Sequence, residues 1–272
     1  MIKVFVDNIN IEEILFSGSC FRATKENDGS ITNILKDRVV NIIQDGKYIN
    51  IKSSNYDNLE SIIKEYFDLN RDYEKINNEL SKRNNDLKEI INHCKNYRIL
   101  NQDPFEMTIS YIISQNNNVK RISNIINNIC LKYGKKIIFE DKTYYLFPTY
   151  NELKDITIDD LKEFKLGFRD KYIIDYLEKY ESLLDLDKLS TNDALDKLMS
   201  VKGIGLKVAS CILLFGYKRL DVFPIDTWVK QYMTKKYSLK NDINVIKEYA
   251  NKNFYPYTGL VIQYIFHTNR NL

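Results

Sequence analysis

The apolar residues of this chain change their spacing once, near Leu59, and that change constrains the fold more than any other feature of the sequence. Before it, short segments rich in β-branched and aromatic residues (2–6, 20–24, 31–36, 39–44 and 47–53) are divided by the turn signals Asn27-Asp28-Gly29 and Asp45-Gly46. Asp-Gly between two such segments is a strong hairpin signal, and connections this short favour antiparallel pairing. After it, apolar residues recur at helical spacing: Ile62, Ile63, Tyr66 and Phe67, then Ile76, Leu80, Leu87, Ile90 and Ile91. Ile109, Ile112 and Ile113 follow Pro104, which suits a first helical turn, and Ile122, Ile125, Ile126, Ile129 and Leu131 continue the pattern. Strands first and helices after, with loops near 143–150 and 218–224, predict an α+β fold. An antiparallel sheet with flanking helices is expected over 1–100, and a mostly helical body over 101–272.

Composition narrows the function by exclusion. Forty basic and 37 acidic residues leave a net charge of +3, too balanced to announce nucleic-acid binding by itself. Any such claim must come from local motifs. Cys20, Cys94, Cys130 and Cys211 are far apart, with no C-x-x-C pair, and the two histidines, His93 and His267, cannot build a metal site alone. No metal site, iron–sulfur cluster or disulfide is expected. No apolar run approaches the roughly 18 residues that span a bilayer. The start turns polar too early for a secretory signal, so the expected compartment is the cytoplasm.

The most informative stretch is Val201-Lys202-Gly203-Ile204-Gly205-Leu206-Lys207-Val208-Ala209. One helix ends near Val201 and another begins at once, a helix-hairpin-helix over 194–217. Gly203 and Gly205 permit positive φ and close approach of another backbone, and Ile204 plugs the gap between the helices. The free N–H groups at the new helix start can then bind an anion, for which a DNA phosphate is suited. Taken alone, G-x-G is also the pattern of a plain αα-hairpin, which is the simpler reading.

Lys207 adds weight to the first alternative. A cation in the first turn of a helix is opposed by the dipole, and partial burial beside Val208 and Cys211 favours the neutral amine. A neutral amine can form a Schiff base with a carbonyl-level carbon, although an ordinary solvated lysine satisfies the same pattern. Phe223-Pro224-Ile225-Asp226-Thr227-Trp228 follows, with Asp226 placed to cap the next helix. Asp226 is either a capping residue only, or one that also faces the lysine and stabilises a developing cation.

These residues resemble the helix-hairpin-helix DNA glycosylases with a Gly/Pro-rich loop and a terminal Asp. The resemblance implies that Lys207 marks the bifunctional branch, which removes a base and then nicks the strand. Further segments resemble the 8-oxoguanine DNA glycosylase/AP lyase family, bacterial type, and extend the likeness over nearly the whole chain, including a TBP-like N-terminal sheet and two helical subdomains. Ser17-Gly18-Ser19-Cys20-Phe21-Arg22 looks like its S-G-Q-[ST]-F-R segment, which implies that the Gly18 carbonyl accepts N7–H of the lesion. The same carbonyl would face the lone pair of guanine's N7 unsatisfied. Ser114-Gln115-Asn116-Asn117-Asn118-Val119-Lys120-Arg121-Ile122 resembles S-x-N-N-N-I-x-R-I. By that likeness Asn116 fills the gap left by the extruded base and Arg121 contacts the orphaned cytosine; by composition alone the three asparagines read as a helix-breaking loop. Leu166-Gly167-Phe168-Arg169 resembles L-G-Y-R, implying an aromatic wedge at Phe168 and a second arginine on the cytosine at Arg169.

The resemblance places Cys211 and Phe266 on the two faces of the flipped purine, with Phe215 where Met is common. Trp228 falls where some members place a phosphate-contacting histidine. The family glutamine that reads the purine's Watson–Crick edge falls on Ile262, with Gln263 its neighbour, and this is the main departure from the pattern. No organic cofactor is implied, although carbonyls around Val201 and Ile204 could hold a monovalent cation. The implied partner is double-stranded DNA containing 8-oxoguanine opposite cytosine, with the protein acting as a monomer, nucleoid-associated and away from membranes. Three rivals stand beside this reading: a glycosylase of the same fold for another damaged base, a non-catalytic DNA-binding module, and a helical protein-interaction scaffold. The module does not need the Lys207 and Asp226 pair, and the scaffold leaves the asparagines and Phe168-Arg169 unexplained.

Overall fold

The computed structural model describes residues 1–269. Strand β1 (Ile2–Phe5), helix α1 (Ile11–Leu15), and strands β2 (Thr24–Lys25), β3 (Ile31–Leu35), β4 (Arg38–Asp45) and β5 (Tyr48–Ser53) open the chain. They form one antiparallel sheet in the order β1-β5-β4-β3-β2. Asp45 pairs with Tyr48, so Gly46 and Lys47 make the two-residue turn that Asp-Gly predicts. Alternate residues Ile49, Ile51 and Ser53 of β5 are buried, so this strand has one face on the core, whereas β3 and the first part of β4 are buried on both faces.

The strand expected over 20–24 does not form; only Thr24 and Lys25 pair, with Thr32 and Ile31. Ser19, Cys20, Phe21 and Arg22 are all buried in succession. These residues form an irregular segment between two layers, with Cys20 Sγ against Asn33 of β3 and the Phe21 ring edge-on to Tyr111 at 6.1 Å, so side-chain packing rather than a ladder fixes the backbone. Gln102 Nε2 holds it by donating to the Ser19 carbonyl at 2.9 Å.

Helices α2 (Leu59–Tyr66), α3 (Tyr73–Arg83) and α4 (Leu87–His93) lead into α5 (Pro104–Ser114) and α6 (Val119–Tyr133). Asp103 caps α5 with Pro104 in its first turn, and Asn118 caps α6 by accepting from Arg121 N at 3.0 Å. Leu131, read as part of the apolar stripe of α6, faces solvent, while Ile122, Ile125, Ile126, Ile129 and Cys130 form its buried side. The loop expected over 143–150 is partly a hairpin, β6 (Lys136–Phe139) with β7 (Lys142–Tyr145). Its turn residues, Glu140 and Asp141, both take positive φ, which aspartate tolerates but glutamate rarely adopts.

The remaining helices are α7 (Tyr150–Leu153), α8 (Ile158–Lys162), α9 (Arg169–Lys179), α10 (Thr191–Met199), α11 (Leu206–Gly216), α12 (Thr227–Lys236), α13 (Ile243–Phe254) and α14 (Thr258–Asn269). Helices α5 and α11 pack together at the centre, and α11 is buried on every side from Val208 to Gly216. Helix α13 returns to α3 and α14 to α4, which brings the end of the chain against its first third. No helix among the described residues is long and apolar enough to cross a membrane.

Candidate active site

The hairpin lies between α10 and α11. Gly203 has φ +81°, and a Cβ there would stand 2.2 Å from Tyr172 Cδ2, so only glycine fits. Gly205 differs from expectation: its φ is −91°, and nothing lies within 4 Å of a Cβ built on it. What it provides is open space in front of the helix start. The amides of Gly203, Gly205 and Leu206 donate to no described residue, whereas Lys202 N is taken by Asp175 Oδ2 at 2.7 Å. Ile204 N donates to Val201 O at 3.1 Å. That carbonyl keeps a lone pair, so the oxygen chemistry of this turn is compatible with a monovalent cation.

Lys207 is the second residue of α11, and Asp226 caps α12 by accepting from Val229 N through Oδ1 at 2.8 Å. The second carboxylate oxygen, Oδ2, has no hydrogen-bond partner among the described residues. Both side chains line one cavity of about 140 Å³, together with Gly18, Cys211, Phe215, Gln263 and Phe266. Larger hollows of about 600 Å³ beside α1 and β4 and about 380 Å³ between the sheet and α5 contain neither Lys207 nor Asp226. Chemistry rather than size singles out the smaller one.

Gly18 sits at φ +98°, in a segment that Ser17 Oγ pins by donating to Ile14 O at 2.8 Å. The Gly18 carbonyl accepts no hydrogen bond from the described residues. Cys211 lies one turn beyond Lys207; burial raises its thiol pKa, with Lys207 pulling the other way, so it forms a neutral wall. Phe215 stacks on Tyr111, ring centres 5.8 Å apart and planes 13° apart. Phe266 is half-exposed and meets Trp228 edge-on at 5.6 Å. Trp228 itself stacks on Tyr232. In the free protein it therefore braces Phe266, a packing role that the expected phosphate contact did not include.

Tyr111 escaped the sequence reading. Its ring is buried, it lines the cavity, and Lys207 Nζ lies 5.8 Å from the ring centre. The available signal was its place on α5, four residues before Gln115, in a helix buried almost all round. Ile262 and Gln263 both reach the cavity, so Gln263 supplies the only side-chain amide among its lining residues.

Asn116, Arg121, Phe168 and Arg169 gather in a second cluster. Asn116 is exposed at φ +48°, a conformation asparagine tolerates. Phe168 is 48% exposed, in an edge contact with Tyr172 at 5.5 Å. Arg121 is exposed and donates through Nη2 to Lys165 O at 2.9 Å. Arg169 departs from expectation. It is buried, and its guanidinium donates to Gln115 O at 2.9 Å, Asn116 O at 3.0 Å and Leu166 O at 2.8 Å. In the free protein it holds the Asn116 loop and offers little to an orphaned base. Among the described residues no group of three or more His, Cys, Asp or Glu side chains gathers to hold a metal ion.

Hairpin, lysine and capping aspartate on this fold define a DNA-repair class, and the comparisons give its name. Residues 109–254 match the HhH-GPD superfamily of base excision DNA repair proteins, and residues 1–108 match the 8-oxoguanine DNA glycosylase N-terminal domain. The 8-oxoguanine glycosylase/lyase of Clostridium acetobutylicum, in its apo-form, is 36% identical with a TM-score of 0.90, over 96% of this chain and 93% of that one. The same enzyme has been solved with double-stranded DNA containing cytosine opposite 8-oxoguanine. The N-glycosylase/DNA lyase of Saccharomyces cerevisiae is 34% identical over 57% of this chain and 46% of its own length. The matched segments span less than two thirds of the curated relatives, between 42% and 62%. The 3-methyladenine DNA-glycosylase of Archaeoglobus fulgidus, at 18% identity and a TM-score of 0.81, shares the fold. The chain belongs to the HhH-GPD superfamily, in the branch that carries the 8-oxoguanine DNA glycosylase N-terminal domain.

Proposed function

We propose that this protein is a bifunctional DNA glycosylase and AP lyase that removes 8-oxoguanine paired with cytosine and then cleaves the strand. The observation that carries the reading is the meeting of Lys207, Asp226 and Gly18 in one cavity. The hairpin amides grip a phosphate, and the target nucleotide is extruded at a cost of a few kcal/mol in lost stacking. The Lys207 amine forms a bond to C1′ as the glycosidic bond breaks, and the base leaves with that electron pair and a proton. The free oxygen of Asp226 faces the positive charge that develops on the sugar. Ring opening gives a Schiff base; loss of a C2′ proton then expels the 3′ phosphate. The unpartnered Gly18 carbonyl supplies the acceptor that distinguishes N7–H from a lone pair. The proposed working unit is a monomer on duplex DNA.

Borohydride trapping on a lesion-bearing duplex tests the chemistry. Wild type is expected to give a covalent adduct, and Lys207→Gln to bind the duplex without one. No adduct with wild type, or an undiminished adduct with Lys207→Gln, overturns the proposal. A second reading, a different damaged base, is favoured by one observation: the buried Ile262 lines the cavity where an amide would read the purine edge. A panel of lesions opposite each base decides between them. Excision of guanine or of alkylated bases alongside 8-oxoguanine removes the Gly18 argument.

A further inference from the structure

Helix α9 touches both clusters, and three of its residues have no assigned task. Tyr172, Asp175 and Lys179 are spaced three and four apart, so they share one face. That face lies on the hairpin. The Tyr172 ring occupies the space a Cβ of Gly203 would need. Asp175 Oδ2 accepts from Lys202 N at 2.7 Å and from Lys179 Nζ at 2.8 Å. Lys179 Nζ also donates to Ser200 O at 2.7 Å. An amide and a carbonyl of the turn are thus both held from α9, so the hairpin cannot rotate on it.

The other end of the same helix carries the exposed aromatic. Phe168 precedes α9 and rests edge-on against Tyr172 at 5.5 Å. The next residue, Arg169, holds the carbonyls of Gln115 and Asn116 and lies 4.5 Å from the centre of the Phe168 ring. A continuous line of contacts therefore runs from the hairpin through Gly203, Tyr172 and Phe168 to the Asn116 loop. Phe168 and Tyr172 stand one helical turn apart at the start of α9, while Asp175 and Lys179 fix the rest of the helix to the hairpin.

We propose that α9 is a strut and Tyr172 its coupling residue: the ring transmits hairpin engagement to Phe168, so that gripping a phosphate drives the aromatic into the base step. The idea rests on the DNA-glycosylase reading above. Tyr172 is a positioning residue, since it acts through Phe168. Removing the ring leaves the Asp175 and Lys179 clamps in place, so the hairpin keeps its shape while Phe168 loses its backing.

The test uses the whole protein and a duplex with 2-aminopurine beside the target base, whose fluorescence rises when the step unstacks. Wild type is expected to raise the signal at saturation. Tyr172→Ala is expected to raise it at least about fivefold less with affinity for the duplex within about threefold, and Tyr172→Phe to restore the rise. Under single turnover, Tyr172→Ala should slow excision of a paired lesion about tenfold. It should leave the same lesion in a one-nucleotide bulge, where stacking is already lost, within about twofold. Equal slowing on both substrates, loss of duplex affinity together with the signal, or a full fluorescence rise in Tyr172→Ala overturns the strut. If wild type opens the step and excises nothing, the glycosylase reading falls while the fluorescence arm still judges the strut.

Discussion

The two hairpin glycines should fail in opposite ways when each is replaced by alanine. At Gly203 the backbone sits at φ +81°, where a residue with a Cβ costs about 1–2 kcal/mol. The new methyl also meets the Tyr172 ring at 2.2 Å, and forcing it in adds an overpacking cost of about 1–3 kcal/mol. Gly203→Ala should therefore destabilise the fold by roughly 2–5 kcal/mol. At Gly205 φ is −91° and nothing lies within 4 Å, so alanine fits. Its effect on stability is expected within about 1 kcal/mol, because the reduced freedom of the unfolded chain is offset by alanine being a poorer helix N-cap than glycine. The methyl nevertheless stands beside the amides that would meet a phosphate. Losing one charge-assisted hydrogen bond costs about 1.5–3 kcal/mol, roughly ten- to a hundredfold in affinity. Urea denaturation and fluorescence anisotropy with a duplex carrying an abasic-site analogue separate the two. Equal destabilisation by both alanines would show that the turn geometry is wrong. A normal affinity in Gly205→Ala would show that this amide does not hold the backbone.

Asp226→Asn keeps a capping oxygen and removes a charge, so stability should stay within about 0.5 kcal/mol while trapping slows at least about tenfold; a normal trapping rate sinks the charge argument. Arg169→Lys cannot reach the carbonyls of Gln115, Asn116 and Leu166 together, and should cost about 2–4 kcal/mol in denaturation; a change below about 0.5 kcal/mol would contradict the bracing role. Burial raises the Glu106 carboxyl to about 7 from 4.5, with Arg22 opposing. Between those values the unfolded chain ionises first, so this group's contribution falls as pH rises from about 4.5 to about 7, by an amount on the order of 3 kcal/mol, and is level above. Glu106→Gln should remove that fall, and parallel stability curves for the two proteins at pH 5, 6 and 8 would refute it.

Much of the fold was legible because local signals and packing agree. Asp45-Gly46 set its hairpin, and Pro104 started α5, since each depends on one or two residues' own backbone preferences. The failures share a cause, which is that layers meeting in space override local pattern. Residues 20–24 look like a strand, yet Cys20 and Phe21 are enclosed between Asn33 of the sheet and Tyr111 of α5. The turn of β6 and β7 uses Glu140 and Asp141, which carry no turn signal strong enough to read. Lys207 and Asp226 could be paired from sequence because helix starts position both. Tyr111 could not, because in an almost wholly buried helix no pattern marks which side faces a hollow. Arg169 was legible as a functional type and not as a buried brace, since its partners are main-chain carbonyls more than fifty residues away in two of three cases.

Gly18 and Phe266 face the same cavity from opposite ends of the chain, and α14 closes it by packing on α4. During synthesis the hairpin and Lys207 leave the ribosome well before Phe266 does. Until α14 docks, the cavity lacks the wall that Ile262, Gln263 and Phe266 supply. Contacts this distant in sequence are slow to form, so the cavity around Lys207 closes late in folding.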